Sequence, residues 1–132
     1  MIQSDALVAP NHSSRPYYAL SRLQDGGASR IRYYEVTNAH HFEVLNALAG
    51  FNDKFVPLHH YLIKALDLMY EHLTRDAALP PSHVVRTKPR GRQSDAVPPL
   101  TEGEAGNLQP IRADPGQADR IAFDGATLLI PD

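Results

Sequence analysis

Seven histidines, a scatter of carboxylates and no cysteine set the chemistry open to this 132-residue chain. Without a thiol there is no disulfide framework, no cysteine nucleophile and no zinc ribbon. The histidines stand at positions 12, 40, 41, 59, 60, 72 and 83, and no two lie three or four residues apart. That is the spacing that sets two metal ligands on one helix face. His59 and His60 are neighbours that would point about 100° apart on a helix. A histidine-built metal site is therefore not expected. Two segments do carry the residue types of a hydrolytic relay. Ser4-Asp5-Ala6-Leu7-Val8-Ala9-Pro10 places an acid at the head of a loop. Thr37-Asn38-Ala39-His40-His41-Phe42 places two histidines directly after a strand-like run. An imidazole can take the proton of a serine hydroxyl, and an ionised carboxylate can hold the ring in the right tautomer.

The elements that would position these groups can be read from periodicity. Arg30 to Val36 is rich in aromatic and β-branched residues, with Ile31, Tyr33 and Glu35 on one side and Arg32, Tyr34 and Val36 on the other. It is the best strand in the chain. A helix is expected over about 14–24, opened by Pro16 after the small polar cluster 11–14 and stopped by Gly26-Gly27. Its face is expected to be Tyr17, Leu20 and Leu23. Phe42 to Ala49 reads as a short helix ended by Gly50. Residues 57–74 form the strongest element, where Leu58, Leu62, Leu66, Met69 and Leu73 make an apolar stripe expected to face a core. Histidines after a strand and an acid two elements earlier fit the chain order acid then histidine of an α/β-hydrolase sheet. Thirty-six positions separate Asp5 from His41, enough for loop, helix, turn and strand. On pattern alone His40 and His41 are equally placed.

Composition divides the chain. Only Pro10, Pro16 and Pro57 fall within residues 1–75, and the other eight of eleven prolines fall within 76–132. The expectation is an α/β fold class. Residues 1–75 would be the terminal strand–helix units of an α/β-hydrolase-like sheet, a partial domain carrying the acid and histidine loops. Residues 76–132 would be an extended proline-rich tail with short strands, contributing little core of its own and wrapping over a body outside the chain. Short strands are expected near 84–87 and in a hairpin over 121–130 that turns at Asp124-Gly125.

The runs Asp5-Ala6-Leu7-Val8, Asn11-His12-Ser13-Ser14-Arg15-Pro16-Tyr17, Arg32-Tyr33-Tyr34-Glu35-Val36-Thr37-Asn38-Ala39-His40-His41-Phe42, Val56-Pro57-Leu58-His59 and Leu79-Pro80-Pro81-Ser82-His83-Val84-Val85-Arg86-Thr87 together resemble the carboxyl-terminal part of the D-(-)-3-hydroxybutyrate oligomer hydrolases. The resemblance runs from about residue 4 to about residue 130. In that family the position of His40 usually reads Gln and His41 is retained, which selects His41 as the base. The resemblance implies a serine esterase of the α/β-hydrolase type that cleaves ester bonds in 3-hydroxybutyrate dimers and oligomers, with His41 as base and then acid, Asp5 orienting it, and no metal or organic cofactor. The family includes proteins acting outside and inside the cell, so the compartment stays open.

One departure is decisive for activity. None of Ser4, Ser13, Ser14, Ser21, Ser29, Ser82 and Ser94 is flanked by glycines as a nucleophile elbow requires. Ser13-Ser14 follows the acid, in the wrong chain order, and is expected to serve as a helix cap. The nucleophile is expected upstream of Met1, in a missing N-terminal part that would be the partner of this chain, and the chain alone is expected to be inactive. The rival reading is a non-enzymatic protein-interaction module. It would use the 57–74 helix or the basic run Arg86-Thr87-Lys88-Pro89-Arg90-Gly91-Arg92, which otherwise reads as a solvated tail. A net charge of −2 gives no reason to expect nucleic acid as partner. No apolar run approaches the ~18 residues of a membrane span, and the first fourteen residues lack the cations and apolar stretch of a secretory signal.

Overall fold

A computed structural model describes residues 2–3, 9–92 and 96–132 of the chain. At its centre lies a three-stranded sheet in the order β1 (Ile2–Gln3), β2 (Tyr34–Val36), β5 (His83–Val85), all parallel. Helix α1 (Ser14–Asp25) lies between β1 and β2 in sequence, and helix α2 (Leu58–Arg75) lies between β2 and β5. Two further parallel strands, β3 (Ala39–His40) and β4 (Val56–Pro57), form a separate pair. The hairpin of β6 (Ala122–Phe123) and β7 (Leu128–Leu129) closes the chain. Among the described residues no helix is long and apolar enough to cross a membrane.

β2 is buried throughout and serves two cores at once. Its alternation follows the sequence reading. Tyr33 packs with Tyr18, Val84 and Ile121 on one face, and Tyr34 and Val36 pack with Val56, Tyr61 and Val85 on the other. A strand buried on both faces is what a parallel sheet covered on each side requires. The strand is shorter than the expected run 30–36 because Tyr33 bonds partly outside the ladder. Its N–H donates to Ser82 Oγ at 2.9 Å, while its carbonyl accepts the His83 N–H at 3.1 Å.

The polar groups on the Tyr33 face are locked to one another. The Tyr33 hydroxyl donates to Glu35 Oε2 at 2.8 Å, and Arg15 of α1 reaches both Glu35 oxygens, Nε to Oε2 at 3.0 Å and Nη2 to Oε1 at 2.5 Å. A carboxylate with this little solvent is tolerable only when its lone pairs are filled by charge-assisted donors. The same contacts pin α1 against the sheet.

Four expectations are corrected. The helix α1 buries Ser14, Tyr18 and Ser21, and it leaves Tyr17, Leu20 and Leu23 exposed. The long helix α2 runs as expected, yet it buries Tyr61 and leaves Leu62, Leu66, Met69 and Leu73 exposed. Its orientation is set by Tyr61, whose hydroxyl donates to the Gln109 carbonyl at 3.1 Å. The expected helix at 42–49 is a 3-10 turn, Glu43–Ala47, with Phe42, Val44 and Leu48 exposed. Apolar residues spaced by three at 42, 45 and 48 suit a three-residue turn. Finally, the region past residue 76 does supply core. Val84, Val85, Leu108 and Ile121 are buried, and Leu100, Ile111, Leu128 and Ile130 pack beside them. The prolines keep this segment extended, and extended chain can still lay alternate side chains on a sheet.

The basic run is exposed at Arg86, Lys88 and Arg92, as expected of a solvated segment, but its arginines are tied to the rest of the chain. Arg86 pairs with Asp119 at 2.7 Å, Arg90 Nε donates to the Asn52 carbonyl at 2.8 Å, and Arg92 faces Asp53 at 3.4 Å. The hairpin turns where expected, with Asp124 Oδ1 accepting the N–H groups of Ala126 and Thr127 and Gly125 at φ 102°.

Removing the Tyr33 hydroxyl (Tyr33→Phe) should cost about 1–2 kcal/mol, whereas Glu35→Ala should cost about 2–4 kcal/mol, because it strands two donors at once. Thermal melts of the two variants check the order. An unchanged melting temperature for Glu35→Ala would show that the lock carries no stability.

Candidate active-site loop

The loop that bears the two histidines is fixed at both ends. β2 is followed by Thr37, whose backbone N–H donates to the Val85 carbonyl at 3.1 Å and whose hydroxyl accepts the Thr87 N–H at 3.0 Å. The chain then turns at Asn38, which adopts φ 51°. A left-handed conformation is one that asparagine tolerates better than most residues. The Asn38 side chain donates to the Thr87 carbonyl at 2.9 Å, and its own carbonyl accepts the Val56 N–H at 2.8 Å. Strand β3 follows, paired with β4 directly before α2. The histidine loop and the start of α2 are thus held side by side.

Adjacent in sequence, His40 and His41 face opposite environments, as neighbours on extended chain must. His40 is fully buried, its ring edge-on to Phe55 at 4.7 Å and Phe51 at 5.9 Å. Both of its ring nitrogens lack a hydrogen-bond partner among the described residues. His41 is exposed, its ring 4.1 Å from that of Phe42. It opens onto a hollow of about 390 Å³ lined also by Glu43, Leu58, His59 and Leu62. Glu43 caps α2 from outside, its carboxylate accepting the backbone N–H of His59. An anion at a helix N-terminus is favourable because the first N–H groups have no partner within the helix. Sequence reading did not single out Glu43, and it weighed His59 only as a metal ligand. The signal available was the position of Glu43 two residues beyond His41, but no periodicity joins it to a helix sixteen residues on.

Geometry therefore separates the two candidates that pattern left equal. A base must reach solvent or substrate to move a proton, and of the two only His41 has that access. Asp5 lies outside the described residues. Ser13 precedes α1 but does not cap it through its side chain, and its hydroxyl donates instead to the Ala9 carbonyl at 3.4 Å. Among the described residues no group of three or more His, Asp or Glu side chains is arranged to hold a metal ion.

The model of the 3HB-oligomer hydrolases matches residues 2–132. The chain belongs to that family. A D-(-)-3-hydroxybutyrate oligomer hydrolase of Paraburkholderia xenovorans is 50% identical over 124 residues, which cover 94% of this chain and 17% of that protein. Hydrolases of the same description from Paracidovorax citrulli and Burkholderia vietnamiensis are each 46% identical over 98% of this chain and 18% of their own length. The chain thus spans less than a fifth of the curated relatives it matches. No solved structure matches it.

Burial shapes the other titratable groups. It raises Tyr33 and Tyr61, and it pushes Tyr34 up to about 12, so all three remain hydrogen-bond donors. His83 is lowered by burial, against smaller raising effects from the Pro81 carbonyl and Asp119. Its Nδ1 lies 2.7 Å from the Pro81 carbonyl and its Nε2 accepts the Arg112 N–H at 3.2 Å, so the neutral Nδ1–H ring satisfies both. His60 is lowered too, again chiefly by burial.

A histidine depressed in the folded state binds its proton more readily when unfolded. Stability should therefore be complete above the ordinary value of 6.5 and fall as pH drops below it towards the folded values of His83 and His60. Melting temperature against pH checks this, and His83→Gln should flatten the slope. For His40, replacement by leucine removes two desolvated, unpartnered nitrogens at similar volume. His40→Leu should raise stability by about 1 kcal/mol, and a lower melting temperature would show that the ring nitrogens are satisfied after all.

Proposed function

We propose that this chain is the part of a serine esterase for 3-hydroxybutyrate oligomers that carries the base, His41, and the acid, Asp5, on an α/β-hydrolase-like sheet. The observation that carries the reading is the family match across residues 2–132, together with an exposed His41 directly after β3. In this reaction a serine outside the 132 residues attacks the ester carbonyl and passes its proton to His41. The acyl–serine ester forms as the carbonyl reforms, and His41 returns the proton to the departing alkoxide of one 3-hydroxybutyrate unit. Water then attacks the acyl-serine with His41 again as base, releasing the acid and restoring the serine. Asp5 holds the imidazolium, and backbone N–H groups stabilise the oxyanion. The chain alone lacks a glycine-flanked serine and should not turn over.

Two measurements test this. The purified chain should not hydrolyse a 3-hydroxybutyrate dimer. Turnover abolished by His41→Ala would overturn the claim of inactivity. Grafted in place of the matching segment of the Paraburkholderia xenovorans hydrolase, the chain should support hydrolysis. There His41→Ala should lower kcat by about 10³-fold or more, while His40→Leu should leave it within a few-fold. Full activity of the His41→Ala graft would remove His41 from the mechanism.

A further inference from the structure

The two helices share an anomaly. α2 carries Leu62, Ile63, Leu66, Met69, Tyr70 and Leu73 on one side, each 45% to 73% exposed. Helices of soluble proteins turn such a stripe inward. This one cannot roll to do so. Tyr61 is anchored to the Gln109 carbonyl, and on the far side His60 and Lys64 each face Glu102 at 3.7 Å. α1 repeats the pattern with Tyr17, Leu20 and Leu23 exposed. A groove of about 360 Å³ runs between the helices, and Tyr17 of α1 and Met69 of α2, one residue from each exposed set, line it together with Ile31, Leu79, Arg30 and Arg32. An exposed apolar stripe as long as that of α2 marks an interface.

We propose that this face is the seat of the remainder of a 3-hydroxybutyrate oligomer hydrolase chain, whichever polypeptide supplies it. Two observations name that occupant. The relatives are close in sequence over nearly all of this chain, yet roughly four-fifths of their length lies beyond it. Leu62 begins the α2 stripe and also lines the hollow into which His41 opens. A body seated on α2 therefore meets the imidazole at its edge, where a serine carried by that body would need it. On the charged side His60 and Lys64 face this chain's own Glu102, whereas the exposed apolar side has no such counterpart among the described residues. This inference rests on the family reading above and does not require His41 to be the base.

The chain has no cysteine, so a single introduced thiol reports its own surroundings. Leu66→Cys should label rapidly with a maleimide in the isolated chain and at least tenfold more slowly when the chain replaces the matching segment of the Paraburkholderia xenovorans hydrolase, as read at that site by mass spectrometry. Lys64→Cys, across the helix, should label at similar rates in both. Equal labelling of Leu66→Cys in both proteins overturns the proposal. So does slow labelling in the isolated chain that speeds up on dilution, because a second copy would then cover the face. As an independent measurement, the chain should copurify with the relative truncated of its matching segment. The double variant Leu66→Asp/Met69→Asp should abolish that association, and copurification undiminished in this variant also overturns the proposal. Dimer hydrolysis is read separately. Protection and association without hydrolysis count against the catalytic roles and leave the docking face standing.

Discussion

Strand β2 is three residues long, hydrogen-bonded to a parallel neighbour on each side and buried on both faces. Both helices and the segment past residue 76 contribute side chains to that burial. A carboxylate on such a strand would be costly, and Glu35 is held there only because Tyr33 and Arg15 fill its oxygens. The Arg15 contact also ties α1 to the strand. On the opposite face Tyr34 and Val36 meet Tyr61, which fixes α2. One short strand thus sets the orientation of both helices.

That constraint explains why the apolar stripes point outward. Tyr18 and Tyr61 are large, nearly enclosed and close to β2, and their burial is worth more to this chain than that of the leucines on the neighbouring arcs. Once they are seated, Leu62, Leu66 and Met69 are turned away by helical geometry alone. The proline-rich segment makes the arrangement self-consistent. It returns across the sheet, adds Leu108 and Ile121 to the two cores, and places Glu102 against the charged side of α2. Its arginines find carboxylates and carbonyls on the same chain, which leaves little free positive charge for an anionic partner.

The end of β2 does for the site what its middle does for the fold. The paired threonines at 37 and 87 and the left-handed turn at Asn38 deliver the chain into β3 at a fixed angle, and pleating then sends His40 inward and His41 outward. The enclosed ring packs edge-on to Phe51 and Phe55 with no hydrogen-bond partner among the described residues, and the open ring faces the hollow at the start of α2. Of the two imidazoles only that of His41 is exposed.

Much of this was legible in the residues alone. Periodicity located α1, α2, the alternation of Tyr33, Tyr34, Glu35 and Val36, and the Asp124-Gly125 turn, because local backbone preference and side-chain alternation are properties of neighbouring residues. The run from Tyr33 to Phe42 carried the family. Periodicity could not tell which arc of a helix meets the sheet, since α1 and α2 each offer two faces with apolar or aromatic residues and only partners distant in sequence choose between them. For the same reason the tail looked too polar and broken to supply core, although Leu108 and Ile121 are brought to β2 and β5 by contacts across dozens of residues. Pattern gave His40 and His41 the same placement, and only packing against Phe51 and Phe55 encloses the one and leaves the other exposed. The types and order of the elements were set by local chemistry. Which side each element buries was decided by the fold, because burial is a relation between segments that the chain brings together only when it is folded.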